Sequence, residues 1–188
     1  QADVANFEAM ERMVRQIETE VGPIAVLVNC AGITRDAQFH KMSKADWDAV
    51  INVNLNSVFN VTRHVIGGMM EREFGRIINI SSVNAQKGQF GQTNYSAAKS
   101  GIYGFTKALA QEVVKRGITV NAISPGYVGT DLVMAIRSDV REKILSQIPM
   151  GRFAQPEEIA HLVSYLTSAH AAFVTGANYA INGGQHMF

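Results

Sequence analysis

Tyr95 and Lys99 stand four residues apart, a spacing that puts both side chains on one helix face. Their neighbours on that face, Ala98, Ile102, Phe105 and Leu109, are apolar, so the lysine either snorkels to water or has a specific task. An ammonium beside a phenol favours the phenolate and lowers a pKa that starts near ~10. A tyrosine so placed can act as general acid or base around neutral pH. Ser82 follows a predicted strand and could hydrogen-bond a substrate oxygen that also meets Tyr95; a serine closing a strand in a turn is the ordinary alternative. Asn54 interrupts an apolar helical stripe between Ile51 and Val58. Left unsatisfied, a buried amide costs about 1–3 kcal/mol. Asn54 is therefore either bound by nearby backbone or holds an ordered water that links Lys99 to solvent.

Positioning these residues takes strands alternating with helices. Residues 6–19 read as a helix with Phe7, Met10, Val14 and Ile17 on one face, and Ile24 to Val28 as a buried strand. Residues 46–72 keep helical spacing throughout, and Arg76 to Ile80 is a second buried strand. Residues 83–92 read as a loop and Tyr95 to Lys115 as a helix closed by Arg116-Gly117. Ile118 to Ile123 is the third strand, residues 131–147 and 156–168 are helical, and Phe173 to Ile181 is the last strand. This alternation predicts an α/β domain with a mainly parallel sheet covered on both faces. Ligands in such folds sit beyond the carboxyl ends of the strands. The segments there are Asn29-Cys30-Ala31-Gly32, Ser81-Ser82 and Ser124-Pro125-Gly126, all small or polar.

Composition narrows the class. The chain has 188 residues and a formal net charge of +1, with no basic run, so no nucleic-acid partner is expected. No apolar stretch reaches the roughly 18–20 residues that cross a bilayer, so no membrane partner is expected either. The single cysteine, Cys30, reads as a small buried residue and suits a reducing cytoplasm. Histidines at 40, 64, 161, 170 and 186 lack ligand spacing, so no metal is expected.

Tyr95-Ser96-Ala97-Ala98-Lys99 resembles the Tyr-x-x-x-Lys signature of the short-chain dehydrogenase/reductases, and the likeness covers essentially the whole chain. It includes Asn29-Cys30-Ala31-Gly32, Asn54, Ser82 and Pro125-Gly126, in the family's order and at strand ends. The resemblance implies a doubly wound, Rossmann-like fold in one domain, 1–188, that lacks its two N-terminal strand–helix units. It implies that Tyr95 donates a proton to a carbonyl oxygen positioned by Ser82. Lys99 would bind the nicotinamide ribose and lower the tyrosine pKa, and Asn54 would complete a proton relay through water. Asn29, Ala31 and Gly32 would line the adenosine side, with Asp3-Val4 beside the adenine. Pro125, Gly126, Val128 and Thr130 would hold the nicotinamide end. Cys30 replaces a second asparagine found in many members, at a cost in local hydrogen bonding.

Within the family, Gly32-Ile33-Thr34-Arg35-Asp36, Asp46-Trp47 and Ile181 to Met187 look like bacterial 3-oxoacyl thioester reductases. Two subgroups compete: acetoacetyl-CoA reductases of polyhydroxybutyrate synthesis and 3-oxoacyl-acyl-carrier-protein reductases of fatty-acid synthesis. Gln89-Phe90-Gly91-Gln92, Ser124 to Tyr127 and His186-Met187 lean toward the first. Phe90 and Tyr127 would narrow the acyl pocket, or merely pack the loops, while Gln89, Gln92 and Asp36 could meet the thioester and pantetheine. The likeness implies NADPH as reductant, with NAD not excluded. It also implies a homotetramer built on the Tyr95 helix, whose row Ala97, Gly101, Gly104 and Ala108 is small, and on the 46–72 helix. An inactive oligomerising scaffold is the reading from another class.

Overall fold

The structure, a computed structural model, describes residues 1–187. Helix α1 (Phe7–Glu20) begins where Asn6, in extended backbone, accepts the Ala9 N–H at 2.8 Å. It stops where the N–H groups of Val21 and Gly22 both turn back to the Ile17 carbonyl. Of its predicted face Met10 and Val14 are buried, while Phe7 and Ile17 are half-buried.

Four strands form one parallel sheet in the order β1 (Val26–Asn29), β2 (Gly75–Ile80), β3 (Ile118–Pro125), β4 (Asn178–Ile181). Ile77, Ile118, Val120 and Ala122 turn to one face, against α1, α3 (Ser57–Glu71) and α5 (Thr93–Val113). Ile78 and Ile123 turn to the other, against Leu166 of α8 (Pro156–Thr167). Side chains alternate along a strand, so a sheet covered on both faces needs the continuous apolar runs seen in β2 and β3. Fully buried Met10 and Met69 anchor the first face, each burial favouring the fold by about 1.5–3 kcal/mol. Helices on both faces of a parallel sheet make this the doubly wound α/β architecture expected.

Several element boundaries differ from expectation. β1 is not a buried strand: Val26 and Val28 are 43% and 39% exposed, because that face of β1 lies open and β2 is its one partner among the described residues. The 46–72 stretch is not one helix. α2 (Lys44–Ile51) is capped by Ser43, a π-helical turn follows at Asn52–Asn56, and α3 continues from it. The 83–92 loop contains a short helix, α4 (Val83–Lys87). Residues 131–147 break into α6 (Asp131–Met134) and α7 (Ser138–Leu145). The last strand begins at Asn178, and Phe173 is fully exposed. Asn121 explains that shortening, since its side chain donates to the Val174 carbonyl (2.8 Å) and accepts the Ala177 N–H (3.2 Å). Those groups are thus held by a side chain rather than by strand ladder bonds.

Candidate active site

Ser82 leaves β2 in extended backbone and caps α4, its hydroxyl accepting the Asn84 N–H at 3.1 Å. Gly88 (φ 72°) and Gly91 (φ 79°) take left-handed backbone and turn the chain into α5. Asn94, fully buried, then sets the entry of that helix. It accepts the Tyr95 N–H (2.8 Å) and donates to the carbonyls of Arg35 (3.0 Å) and Asp46 (3.4 Å). Two hydrogen bonds of opposite sense stitch the end of β2 to α5: the Ser81 hydroxyl donates to the Lys99 carbonyl, and the Lys99 ammonium donates to the Ile80 carbonyl, both at 2.8 Å.

Tyr95 and Lys99 share a face as their spacing requires, with the ammonium 5.8 Å from the ring centroid. The electrostatics depart from expectation. Burial raises the Tyr95 pKa above its ordinary 10.0; the Ser82 hydroxyl near the phenol opposes that rise, and Asp36, Cys30 and Tyr103 add to it. Lys99 is not among the causes of that shift; its ammonium donates to the Ile80 carbonyl, and burial brings its own pKa down to about 8. Burial raises the Tyr127 phenol as well, with Asp36 adding to the effect.

Asn54 lies inside the π-helical turn and is 1% exposed. Its amide donates to the carbonyls of Ile33 and Val50, both at 2.9 Å, which leaves Oδ1 buried without a partner. That oxygen faces Gly32: a Cβ there would lie 2.7 Å from Asn54 Oδ1 and 3.5 Å from Lys99 Nζ. The glycine keeps open the gap between a lone acceptor and a buried ammonium. π-helical turns concentrate where a side chain must be aimed at a function.

A cleft of about 240 Å³ lies over these groups, lined by Thr34, Ser82, Val83, Asn84, Gln92, Tyr95, Gly126, Tyr127, Val128, Thr130 and Val133. Of the residues singled out in the sequence, it gathers Ser82, Gln92, Tyr95, Gly126, Tyr127, Val128 and Thr130. Phe90 is not on it and is 82% exposed on the turn before α5. Gln89 accepts a hydrogen bond from Lys87, and Asp36 reaches the cleft through Gln92, whose amide donates to its carboxylate at 2.9 Å. Asn84, donating to Gln92 Oε1 at 3.0 Å, was missed, as were Thr34, Val83 and Val133. Val83 and Asn84 follow the end of β2 closely, while Thr34 and Val133 lie farther beyond β1 and β3.

The shelf beyond β1 is mixed. Cys30 is exposed, not buried, and Ala31 and Gly32 are exposed beside it. Asn29 turns its amide into the sheet, donating to Asn79 (2.8 Å) and Thr62 (3.2 Å), so that side chain braces strands. The Asp3 carboxylate accepts the Ala5 N–H, and the Val4 carbonyl accepts from Asn60. Beyond β3, Gly126 donates to the Ile181 carbonyl, and the Tyr127 carbonyl and Gly129 N–H pair with Ala154. Pro125 to Thr130 is thereby fixed as a rim.

A short-chain dehydrogenase model, described as Enoyl-(Acyl carrier protein) reductase, matches residues 1–186. The chain belongs to the short-chain dehydrogenase/reductase family. It is similar to an acetoacetyl-CoA reductase of Allochromatium vinosum, 62% identical over 99% of this chain and 76% of that protein. An acetoacetyl-CoA reductase of Cupriavidus necator is 56% identical over 100% and 76%. A 3-oxoacyl-[acyl-carrier-protein] reductase of Vibrio harveyi is 44% identical over 98% and 76%.

This is a family of oxidoreductases acting on carbonyl and hydroxyl groups with a nicotinamide cofactor, which sets the scaffold reading aside. The residues present fit such a cofactor. Lys99 presents a buried cation, Gly32 leaves the space a Cβ would fill, and the Pro125–Thr130 rim faces them across the strand ends. Among the described residues no helix is long and apolar enough to cross a membrane, and no group of three His, Cys, Asp or Glu could hold a metal.

Proposed function

We propose that this chain reduces a 3-oxoacyl thioester to the 3-hydroxyacyl thioester with NADPH, and that acetoacetyl-CoA is its substrate. One observation carries the chemistry: the Ser82 and Tyr95 side chains line one cleft, with Lys99 on the Tyr95 face of the helix and Asn54 Oδ1 beside it across Gly32. Two converging O–H groups suit a carbonyl oxygen. The short CoA ester is favoured by the relatives at 62% and 56% identity, both named acetoacetyl-CoA reductases, and by a small cleft with Tyr127 in its wall. The carrier-protein reductase at 44% supports the competing reading, a 3-oxoacyl-acyl-carrier-protein substrate.

The cofactor, when bound, supplies the hydride that adds to the carbonyl carbon. Ser82 donates a hydrogen bond that orients the oxygen, and Tyr95 gives that oxygen its proton. A phenol whose pKa lies above 10 stays loaded for this at neutral pH. Lys99 binds the nicotinamide ribose, and Asn54 Oδ1 accepts from a water that passes a proton back through Lys99. Asn84, Gln92 and Asp36 form the polar wall beside the thioester. Ala31 and Gly32 line the adenosine side with Asn29 as brace, Asp3 and Val4 lie by the adenine, and Pro125, Gly126, Val128 and Thr130 hold the nicotinamide.

Tyr95→Phe keeps the ring and removes only the proton donor, so the enzyme should stay folded and lose at least about a thousandfold in acetoacetyl-CoA reduction. Retention of more than about a tenth would overturn the mechanism. Parallel assays with acetoacetyl-carrier protein, longer 3-oxoacyl chains and NADH test the substrate and the reductant. A preference for the carrier protein would establish the competing reading. The enzyme is further proposed to be a cytoplasmic homotetramer, supported by one reduced-type cysteine and by an open apolar groove between α3 and α5.

A further inference from the structure

Tyr103 lies two turns beyond Tyr95 on α5, outside the residues that line the cleft. Its ring packs with Val58, Ile102 and Ala122. Its hydroxyl emerges at the carboxyl ends of the strands, 3.1 Å from the Ser82 carbonyl and 2.8 Å from the Ser124 hydroxyl. Ser124 in turn donates to Asn178 Oδ1 at 2.7 Å. One chain of hydrogen bonds therefore ties the carboxyl ends of β2 and β3 and the first residue of β4 to the helix that carries Tyr95 and Lys99.

Proton counting shows where the chain is fixed. Ser124 spends its only hydroxyl proton on Asn178, so it must accept from Tyr103. The Ser82 carbonyl can only accept, and it draws on the same phenolic proton. A single O–H thus holds the Ser82 peptide on one side and the strand that enters Pro125–Thr130 on the other. The orientation of that peptide decides where the Ser82 hydroxyl points.

We propose that Tyr103 is a positioning residue that fixes Ser82 against Tyr95 by holding the Ser82 carbonyl. The inference rests on the reading of Ser82 and Tyr95 as the hydroxyls that meet the substrate oxygen.

Tyr103→Phe keeps the packed ring and deletes the hydroxyl. Misplacing a catalytic group by a fraction of an ångström lowers the rate, not the binding of the remote parts of the ligands. In the full-length enzyme kcat should fall about tenfold, with the cofactor KM changed by less than about twofold and the melting temperature by only a few degrees. Ser124→Ala, which leaves the Tyr103 proton wholly to Ser82, should lower kcat less than about threefold. A wild-type kcat in Tyr103→Phe would overturn the proposal. So would a loss that Ser124→Ala reproduces in full, or one in which kcat and melting temperature fall together while KM rises, since either means that Tyr103 only holds the strands. Ser82→Ala and Tyr95→Phe, run alongside, separate the two layers. If both are inactive and Tyr103→Phe is normal, only the positioning role fails; if Tyr95→Phe is active, the underlying reading fails.

Discussion

Burial lowers the Lys99 ammonium from 10.5 to about 8, while burial raises the Tyr95 phenol above 10. The two groups therefore titrate in the order opposite to their usual closeness, and the lysine gives up its proton first. In the proposed reduction the ammonium would have to be charged to hold ribose hydroxyls, and the phenol protonated to donate. As pH rises, the first of these conditions to fail is the lysine. Reductive kcat/KM reports the free enzyme, so it should be level below about 8 and fall about tenfold per pH unit above it. A profile flat to pH 10 would place the Lys99 pKa elsewhere. The tyrosine–lysine pair was legible because a spacing of four fixes a shared face. Its electrostatics were not legible, because the Ile80 carbonyl that takes the ammonium's bond comes from a strand nineteen residues away. Tyr103 was hidden for a similar reason. On its own helix it looks like one more apolar-stripe residue, and its partners Ser82 and Ser124 arrive from two different strands.

Elements were read well where their signals are local and less well where tertiary structure sets their ends. β2 and β3 run continuously apolar because both faces are covered, and α5 follows from its period. The π-helical turn at Asn52–Asn56 left no trace in the sequence, since Val50, Leu55 and Val58 keep apolar spacing across it. Yet that turn is what brings Asn54 to Gly32. β1 looked like a buried strand by composition, but its burial depends on neighbours that a five-residue run cannot announce. The rim beyond β3 depends on a close backbone approach. A Cβ at Gly126 would lie 2.9 Å from Asn182 Cα, and the Gly126 N–H is bonded to the Ile181 carbonyl. Backbone cannot yield as a flexible side chain can, so Gly126→Ala should push the rim from the C-terminal loop at a cost of about 1–3 kcal/mol. Thermal melts should show that loss, and the cofactor KM should rise more than kcat falls if the rim holds the cofactor, as proposed, rather than the proton donor.

The whole molecule leaves an apolar groove of about 260 Å³ open between α3 and α5, with Phe59, Ile66, Phe105 and Leu109 among its walls. Phe59 is 51% exposed there and stacks on Phe7 at 5.9 Å. The row of small residues on α5 divides. Gly101 faces inward, where a Cβ would lie 2.9 Å from Leu55, while Gly104 has open space and Ala97 and Ala108 are exposed. One of the four therefore serves the packing of α5 within the chain, and the other three lie free, Ala108 in the wall of the groove. A two-fold axis through this face would bury the same patch on both copies. It would also brace α3, the helix that continues from the Asn54 turn. Phe59→Glu places a charge in that patch and should shift the full-length enzyme from the proposed tetramer to a smaller species by light scattering, with activity falling as α3 loses its brace. Val21→Glu, at an 84% exposed site on the far end of α1, is the matched control and should change neither mass nor rate. A Phe59→Glu enzyme that keeps the tetramer mass would exclude this face as the contact, since a charge buried without a partner at its centre could not be tolerated.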